Sequence, residues 1–122
     1  MTIRVGVLGA RGRMGSEVCR AVTAADGMDL VAQVDEGDPI SMLDGADVAV
    51  DFTHPGAALD NVRWCLDHGV AAVVGTSGFG AAKLDVVRGW LGEPAGAGRP
   101  GRVLVAPNFG VGAVLMMRFA AQ

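Results

Sequence analysis

Short apolar runs alternate along the chain with longer segments in which apolar residues recur every three or four positions. The short runs are continuously apolar, which is typical of strands buried on both faces of a parallel sheet. The longer segments have the spacing of helices that bury one apolar face. The strands are predicted at residues 3–8, 29–34, 48–52, 71–74 and 103–106.

Glycine, proline and polar residues separate these segments, as expected of connecting turns. Residues 92–102 hold four glycines and two prolines and are predicted to form a mobile surface loop. A single helical turn is predicted at residues 41–43, with Ser41 as its cap. The longer helices are predicted at residues 14–25, 57–68, 81–91 and 111–122.

Strands that alternate with helices need crossover connections, which are right-handed and cover both faces of the sheet. The predicted fold class is therefore α/β, a Rossmann-like and mostly parallel sheet with helices on both faces. The length of 122 residues fits one domain with its own core.

Composition narrows the class of protein. The chain is 51% apolar and 19% charged, which argues against disorder. Its net charge of −3 predicts neither a nucleic-acid partner nor a membrane partner. The first residues enter a strand pattern without a signal-peptide segment, so a cytoplasmic protein is expected. Cys19 and Cys65 lie within helical patterns and are interpreted as buried thiols.

Three glycines follow the first strand at intervals of three, at Gly9, Gly12 and Gly15. This is a variant of the dinucleotide fingerprint: the first glycine allows a sharp turn, the second a close approach of pyrophosphate, and the third close packing of helix on sheet. The N–H groups and positive end of the following helix then face the diphosphate. The position between a predicted strand and a predicted helix indicates a dinucleotide site.

The end of the second strand supports this interpretation. Asp35 lies twenty residues after Gly15, where a carboxylate accepts hydrogen bonds from the adenosine ribose. Arg11 and Arg13 lie in the phosphate turn itself, where either side chain is able to meet a 2′-phosphate or stack on adenine. Because these signals favour NAD and NADP respectively, the hypothesis is mixed cofactor specificity.

The later strands also end in polar or turn-forming clusters, which a parallel sheet gathers at one edge. His54 follows the third strand, but Pro55 fixes a turn beside it, so the favoured interpretation is loop structure or contact with the edge of a cofactor. No residue of the sequence is assigned a catalytic role, and no metal-ligand spacing is present. The clusters are residues 52–55, 75–79 and 106–110.

Four motifs taken together resemble 4-hydroxy-tetrahydrodipicolinate reductase (dihydrodipicolinate reductase), particularly of the actinobacterial kind. They read VGVLGARGRMG, DFTHP, VGTSGF and APNF, at residues 5–15, 51–55, 74–79 and 106–109. The resemblance implies a cytoplasmic enzyme of the diaminopimelate route to lysine, in which NADH or NADPH donates hydride to a small-molecule substrate.

The resemblance also implies the cofactor-binding residues. The glycine turn would hold the pyrophosphate, and Asp35 would bind the adenosine ribose. The residues after the fourth and fifth strands would line the nicotinamide half of the cofactor, and those after the third strand would lie close to the dinucleotide. The residues are Gly9, Ala10, Arg11, Gly12, Arg13, Met14, Asp35, Phe52, Thr53, Gly75, Thr76, Ser77, Ala106, Pro107, Asn108 and Phe109.

Departures from the family pattern define the alternatives. Ser77 stands where the family usually has threonine, which keeps the hydroxyl. The family's second, substrate-binding domain, with its His-His-x-His-Lys and Ser-Gly-Thr segments, has no counterpart in the sequence. Residues 1–122 are therefore interpreted as the dinucleotide-binding domain of a truncated and inactive chain. Residues from about 110 to 122 would lead into the missing domain, and homo-oligomers would form through that domain.

Two alternative interpretations remain. The chain is the first domain of another NAD(P)-dependent dehydrogenase, or it is a standalone NAD(P)-binding or sensor module.

Overall fold

The computed structural model describes residues 2–75, 79–91 and 101–105. Within these ranges strands and helices alternate as predicted. The strands are β1 (Ile3–Leu8), β2 (Met28–Val34), β3 (Val48–Asp51), β4 (Ala71–Val74) and β5 (Val103–Val105). The helices are α1 (Arg13–Ala24), α2 (Pro55–Asp67) and α3 (Ala81–Leu91), with a short 3₁₀ helix, Ile40–Leu43, between β2 and β3.

The described strands form one sheet in the order β2-β1-β3-β4-β5, and every neighbouring pair is parallel. The strand ends are in register: Leu8 pairs with Asp51, and Asp51 pairs with Val74. Whatever follows β1, β3 and β4 therefore emerges at the same edge of the sheet. This arrangement confirms the prediction of a Rossmann-like α/β fold.

Helices cover both faces of the sheet. On one face, Val18 and Val22 of α1 pack with the Val5 and Val7 side chains of β1. On the other face, α2 and α3 pack against a second cluster that includes Val74 of β4 and Leu43 of the 3₁₀ helix. All four residues of β3 are buried, as expected of a strand in a sheet covered on two sides.

The boundaries of β1, β4 and α3 agree with the predictions, and those of the other described elements differ by one or two residues. Helix α2 begins at Pro55, because proline suits the first helical position and His54 provides the cap. The predicted cap at Ser41 is wrong: the 3₁₀ helix begins at Ile40, and Pro39 precedes it without a side-chain cap. The predicted helix at residues 111–122 and nearly all of the predicted loop lie outside the described residues.

Both cysteines are buried and free, as predicted. Burial raises the pKa of Cys19, and burial together with the nearby charge of Asp51 raises the pKa of Cys65 to about 12. Such thiols are inert packing groups. Across the three described ranges, none of the helices is both long and apolar enough to cross a membrane.

Candidate functional site

The turn between β1 and α1 has a backbone shape that requires glycine. Gly9 has a φ of 78°, and a Cβ atom there would lie 2.8 Å from the carbonyl oxygen of Phe52. A Cβ atom on Gly15 would collide with the carbonyl oxygen of Gly9. The first glycine thus permits the turn and the third lets α1 pack directly over it, which are the mechanical roles that the sequence pattern predicts.

The N-terminus of α1 is open. Its cap residue is Gly12, and no side-chain hydrogen bond caps the helix among the described residues. The N–H groups of a first helical turn have no partner within the helix, and they lie at the positive end of its dipole. Arg11, Gly12 and Arg13 are all exposed. The turn is therefore able to receive an anion such as a phosphate.

A cleft of about 460 Å³ opens beside this turn. Its lining comes from the β1–α1 turn, the loop after β2, the residues after β3 and the first turns of α2. Gly9 and Gly12 form part of one wall, Asp35 part of a second, and Phe52 and Thr53 part of a third. The structure thus brings together three of the predicted groups of site residues: the glycine turn, Asp35 and the end of the third strand.

Asp35 joins the loop after β2 to the β1–α1 turn. Its Oδ2 accepts a hydrogen bond from the backbone N–H of Arg11 at 2.6 Å, and its Oδ1 accepts one from the N–H of Glu36 at 2.7 Å. The N–H groups of Glu36 and Arg11 hold the pKa of Asp35 below its ordinary value. The carboxylate lines the cleft in its charged form, as a ribose-binding group requires.

The Arg11 side chain turns toward the same loop. Its Nη2 lies 3.6 Å from Oδ2 of Asp38, and its side chain is 76% exposed. Asp38 also accepts a hydrogen bond from the backbone N–H of Asp35 at 3.0 Å. With Glu36, the loop after β2 places three carboxylates along the cleft. Arg11 is thus the cation nearest to this acidic edge in the described contacts, a pairing that the sequence did not predict.

Phe52 connects the ends of β1 and β4. Its backbone N–H donates to the carbonyl oxygen of Leu8 at 2.9 Å. A Cβ atom on Gly75, the residue after β4, would collide with the Phe52 ring. Glycine at position 75 therefore lets the ring lie against the end of β4, next to the cleft.

Asp51 is the residue that sequence reasoning missed. It is 2% exposed, and it accepts hydrogen bonds from the Thr53 hydroxyl at 2.6 Å and from Nδ2 of Asn61 at 2.8 Å. Thr53 and Asn61 both line the cleft. The available signal was a carboxylate at the last position of an otherwise apolar strand, because a buried charge is retained only with partners.

His54 is the cap of α2. Its Nδ1 accepts a hydrogen bond from the backbone N–H of Ala57 at 3.4 Å, and Pro55 occupies the first helical position. The histidine also lines the cleft. This position agrees with the interpretation of His54 as a structural loop residue at the cleft edge.

The remaining predicted site residues lie outside the described part of the chain: Thr76, Ser77, Ala106, Pro107, Asn108 and Phe109. Their neighbours Gly75 and Val105 are described. Ala10 and Met14, also predicted, lie in the β1–α1 turn and the first turn of α1; Ala10 is buried and Met14 half-buried. Across residues 2–75, 79–91 and 101–105, no three His, Cys, Asp or Glu side chains cluster as a metal site would need.

The chain matches a family model. The model describes the N-terminus of dihydrodipicolinate reductase, and the match covers residues 3–109. This stretch includes all four motifs on which the sequence resemblance rests.

Whole-chain comparisons give the same family. The chain is 56% identical over 124 residues to the 4-hydroxy-tetrahydrodipicolinate reductase of Nocardia farcinica, covering 100% of this chain and 48% of the relative. It is 58% identical over 120 residues to the reductase of the same name from Thermobifida fusca, covering 98% and 47%. The chain spans about half the length of the curated relatives it matches.

A solved structure shares the fold. It is a dipicolinate-bound dihydrodipicolinate reductase from Paenisporosarcina sp. TG-14, with a TM-score of 0.72 and 30% sequence identity. The superposition covers 99% of this chain and 53% of that one.

Proposed function

Since the chain belongs to the family of dihydrodipicolinate reductase N-termini, we propose that it is the cofactor-binding part of a 4-hydroxy-tetrahydrodipicolinate reductase. The reaction is the NAD(P)H-dependent reduction of a small-molecule substrate in the diaminopimelate route to lysine. The proposed setting is the cytoplasm, with neither nucleic acid nor membrane as a partner. Homo-oligomers are proposed to form through the part of the relatives that this sequence does not match.

One observation carries the proposal: an open, glycine-capped helix N-terminus faces a cleft that has a charged carboxylate on the adjoining wall. The Gly12 cap of α1 leaves N–H groups for a pyrophosphate, and Asp35 offers acceptors to ribose hydroxyls. The left-handed backbone of Gly9 permits the sharp turn after β1. These residues fit a dinucleotide.

The proposed roles of the other residues follow the cleft walls. Phe52, Thr53 and Gly75 would lie along the path from the pyrophosphate to the nicotinamide, and Ala10, Arg13 and Met14 would shape the phosphate turn. Thr76, Ser77 and residues 106–109 would complete the nicotinamide half. The bound cofactor would supply hydride, while these residues would bind and orient it; no catalytic residue is assigned within this sequence.

We propose that the site accepts both NADH and NADPH. Three carboxylates of the loop after β2 disfavour a 2′-phosphate, whereas Arg11 favours one. Arg11 is exposed and Asp38 half-buried in this pair, and ion pairs at the surface contribute at most about 1 kcal/mol. A 2′-phosphate would therefore displace Asp38 from Arg11 at little cost.

Titration calorimetry of the 122-residue chain with NADH and NADPH tests this specificity. We expect affinities within about a hundredfold of each other, which corresponds to about 2.7 kcal/mol. Asp38→Asn should raise the affinity for NADPH relative to NADH by about threefold, and Arg11→Ala should lower it. If neither NADH nor NADPH binds, the proposed dinucleotide site is wrong. A preference above a hundredfold for one of them would refute mixed specificity.

Catalysis is proposed to need more than these residues. Hydride transfer requires substrate held against the nicotinamide with a proton source, and the chain matches only about half of each curated relative. The 122-residue chain is therefore expected to bind NADH without consuming it in the presence of substrate. Absorbance at 340 nm monitors NADH consumption, and steady turnover would overturn this expectation.

A further inference from the structure

Two side chains of the cleft wall donate hydrogen bonds to one buried carboxylate. Asp51 Oδ1 accepts from the Thr53 hydroxyl at 2.6 Å and from the Thr53 backbone N–H at 2.8 Å. Its Oδ2 accepts from Nδ2 of Asn61 at 2.8 Å. Asp51 is 2% exposed, while Thr53 and Asn61 line the cleft. Neither Asp51 nor Asn61 is among the proposed cofactor-binding residues.

The protons of this network determine what the wall offers to a ligand. A hydroxyl has one proton, and because Thr53 donates it to Asp51, its oxygen has only lone pairs left for a ligand. The Asp51 carboxylate accepts hydrogen bonds and donates none, so Asn61 must face it with its NH₂ group. The planar amide then directs Oδ1 of Asn61 away from Asp51. Both side chains therefore offer acceptors.

We propose that Asp51 is a positioning residue that fixes the wall formed by Thr53 and Asn61 as a hydrogen-bond acceptor, and that this wall binds a donor group of the dinucleotide. This inference rests on the proposed function, and it divides the cleft into a region that donates hydrogen bonds and a region that accepts them. The N-terminus of α1 offers donors and receives the phosphates, which only accept. The wall at the end of β3 receives either the carboxamide NH₂ of the nicotinamide or a ribose hydroxyl.

Calorimetry of the 122-residue chain with three reduced dinucleotides identifies the donor. They are NADH, its 3-acetylpyridine analogue, in which a methyl group replaces the NH₂, and its thionicotinamide analogue, which keeps the NH₂. We expect Thr53→Val to weaken NADH binding about three- to tenfold, the usual contribution of one hydrogen bond. Thr53→Ser, which keeps the hydroxyl, should bind NADH more tightly than Thr53→Val does.

The affinities of Thr53→Val for the three dinucleotides distinguish the carboxamide from the ribose hydroxyl as the donor. If the donor is the carboxamide, Thr53→Val weakens NADH and the thionicotinamide analogue but leaves the acetylpyridine analogue unchanged. If the donor is a ribose hydroxyl, all three weaken equally. Either pattern supports the proposal. A folded Thr53→Val variant that binds all three within twofold of the unsubstituted chain overturns it, because a merely structural threonine would change the melting temperature alone.

Asp51→Asn tests the positioning role of Asp51. An amide at position 51 has one acceptor where the carboxylate has two, so either Thr53 or Asn61 must turn a proton toward the cleft. We expect NADH binding to weaken at least threefold. Asp60→Asn, on the exposed face of α2, is the matched control and should bind normally. Unchanged NADH affinity in folded Asp51→Asn would also overturn the proposal.

Failure of the proposed function gives a different result. If the unsubstituted chain binds none of the three dinucleotides, the cofactor proposal is wrong. The polarity of the wall is then decided by NMR of the unliganded protein, in which the Thr53 hydroxyl proton bonded to Asp51 should exchange slowly. A fast-exchanging Thr53 hydroxyl proton overturns the inference on its own.

Discussion

Helices α1 and α2 begin at the same edge of the sheet and border the same cleft, yet their first turns are built in opposite ways. The cap residue of α1 is Gly12, and no side chain caps this helix among the described residues. The cap residue of α2 is His54, whose ring accepts a hydrogen bond from the Ala57 N–H, and Pro55 is the first residue of the helix. The first helix leaves its N–H groups for a ligand, whereas the second satisfies one of its own.

The strands before the two helices extend this contrast. β1 ends in Leu8, and the glycine that follows it has a left-handed backbone. β3 ends in Asp51, which holds Thr53 and Asn61 by hydrogen bonds. A turn that leads into an uncapped helix N-terminus therefore lies beside a wall made of hydrogen-bonded side chains. Four substitution experiments test this difference, in order of decreasing effect.

The largest effect is expected from Gly15→Ala in α1. The added Cβ atom meets the carbonyl oxygen of Gly9, a backbone atom with little freedom to move. We expect a loss of about 3 kcal/mol of unfolding free energy, measured by urea denaturation. Gly89→Ala in α3 is the control, since nothing lies within 4 Å of its added Cβ. It should stabilise the chain by about 0.5–1 kcal/mol. Equal effects of the two substitutions would show that α1 does not pack closely on its turn.

A somewhat smaller loss is expected from Asp51→Ala at the end of β3. The substitution leaves the donors of Thr53 and Asn61 without their buried acceptor, which we expect to cost about 2 kcal/mol. The same denaturation measurement checks it. Asp60→Ala, on the exposed face of α2, should stay within about 0.5 kcal/mol of the unsubstituted chain. A neutral Asp51→Ala would mean that the wall is not held by the carboxylate.

Removal of the side-chain cap of α2 should lower the unfolding free energy by a smaller amount. His54→Ala removes the acceptor for the Ala57 N–H, and because that contact is long at 3.4 Å we expect a loss of about 0.5 kcal/mol. Asn at position 54 is a preferred cap, so His54→Asn should restore the stability. Thermal unfolding followed by circular dichroism measures both. If His54→Ala and His54→Asn melt together, the two helix N-termini do not differ by a side-chain cap.

The smallest effect concerns the pH dependence of Asp35. Because backbone N–H groups of Glu36 and Arg11 lower its pKa from 3.8, its charged form stabilises the folded chain. That stabilisation is complete above pH 3.8 and is lost as the pH falls through the lowered, folded-state pKa. Asp35→Asn should thus be less stable than the unsubstituted chain at pH 7, and the difference should shrink below pH 3.8.

Arg11→Ala is the control for this pH dependence. The Arg11 backbone N–H contributes more to the lowered pKa of Asp35 than its side-chain charge does, and the substitution keeps that N–H. The pH dependence of stability should therefore persist in Arg11→Ala. Its disappearance would assign the effect to the guanidinium group instead of the backbone of the phosphate turn.

The sequence was most informative where one local rule decides the outcome. The boundaries of β1, β4 and α3 agree with the apolar periodicity. The roles of Gly9 and Gly15 follow from the spacing, because only glycine permits that turn and that packing. The wrong prediction, a cap at Ser41, arose because Ser is also common in turns, and Pro39 holds the extended backbone before the 3₁₀ helix.

The tertiary structure added the pairings between distant segments. Arg11 and Asp38 carry opposite charges in separate loops, and nothing in their spacing of 27 positions in the sequence predicts that they meet. The same holds for Asp51 and Asn61, which belong to a strand end and a helix face. Their contact depends on how α2 packs over β3.

The α/β class, the glycine turn after β1 and the family could all be predicted from the sequence, since each depends on periodicity, on glycine conformation or on ordered motifs. The folded chain was needed to show that Asp51 holds Thr53 and Asn61 at the cleft, and that the Phe52 ring lies against Gly75. Hydrogen-bond partners and ring contacts depend on the strand register and helix packing, which bring together residues that no local pattern links.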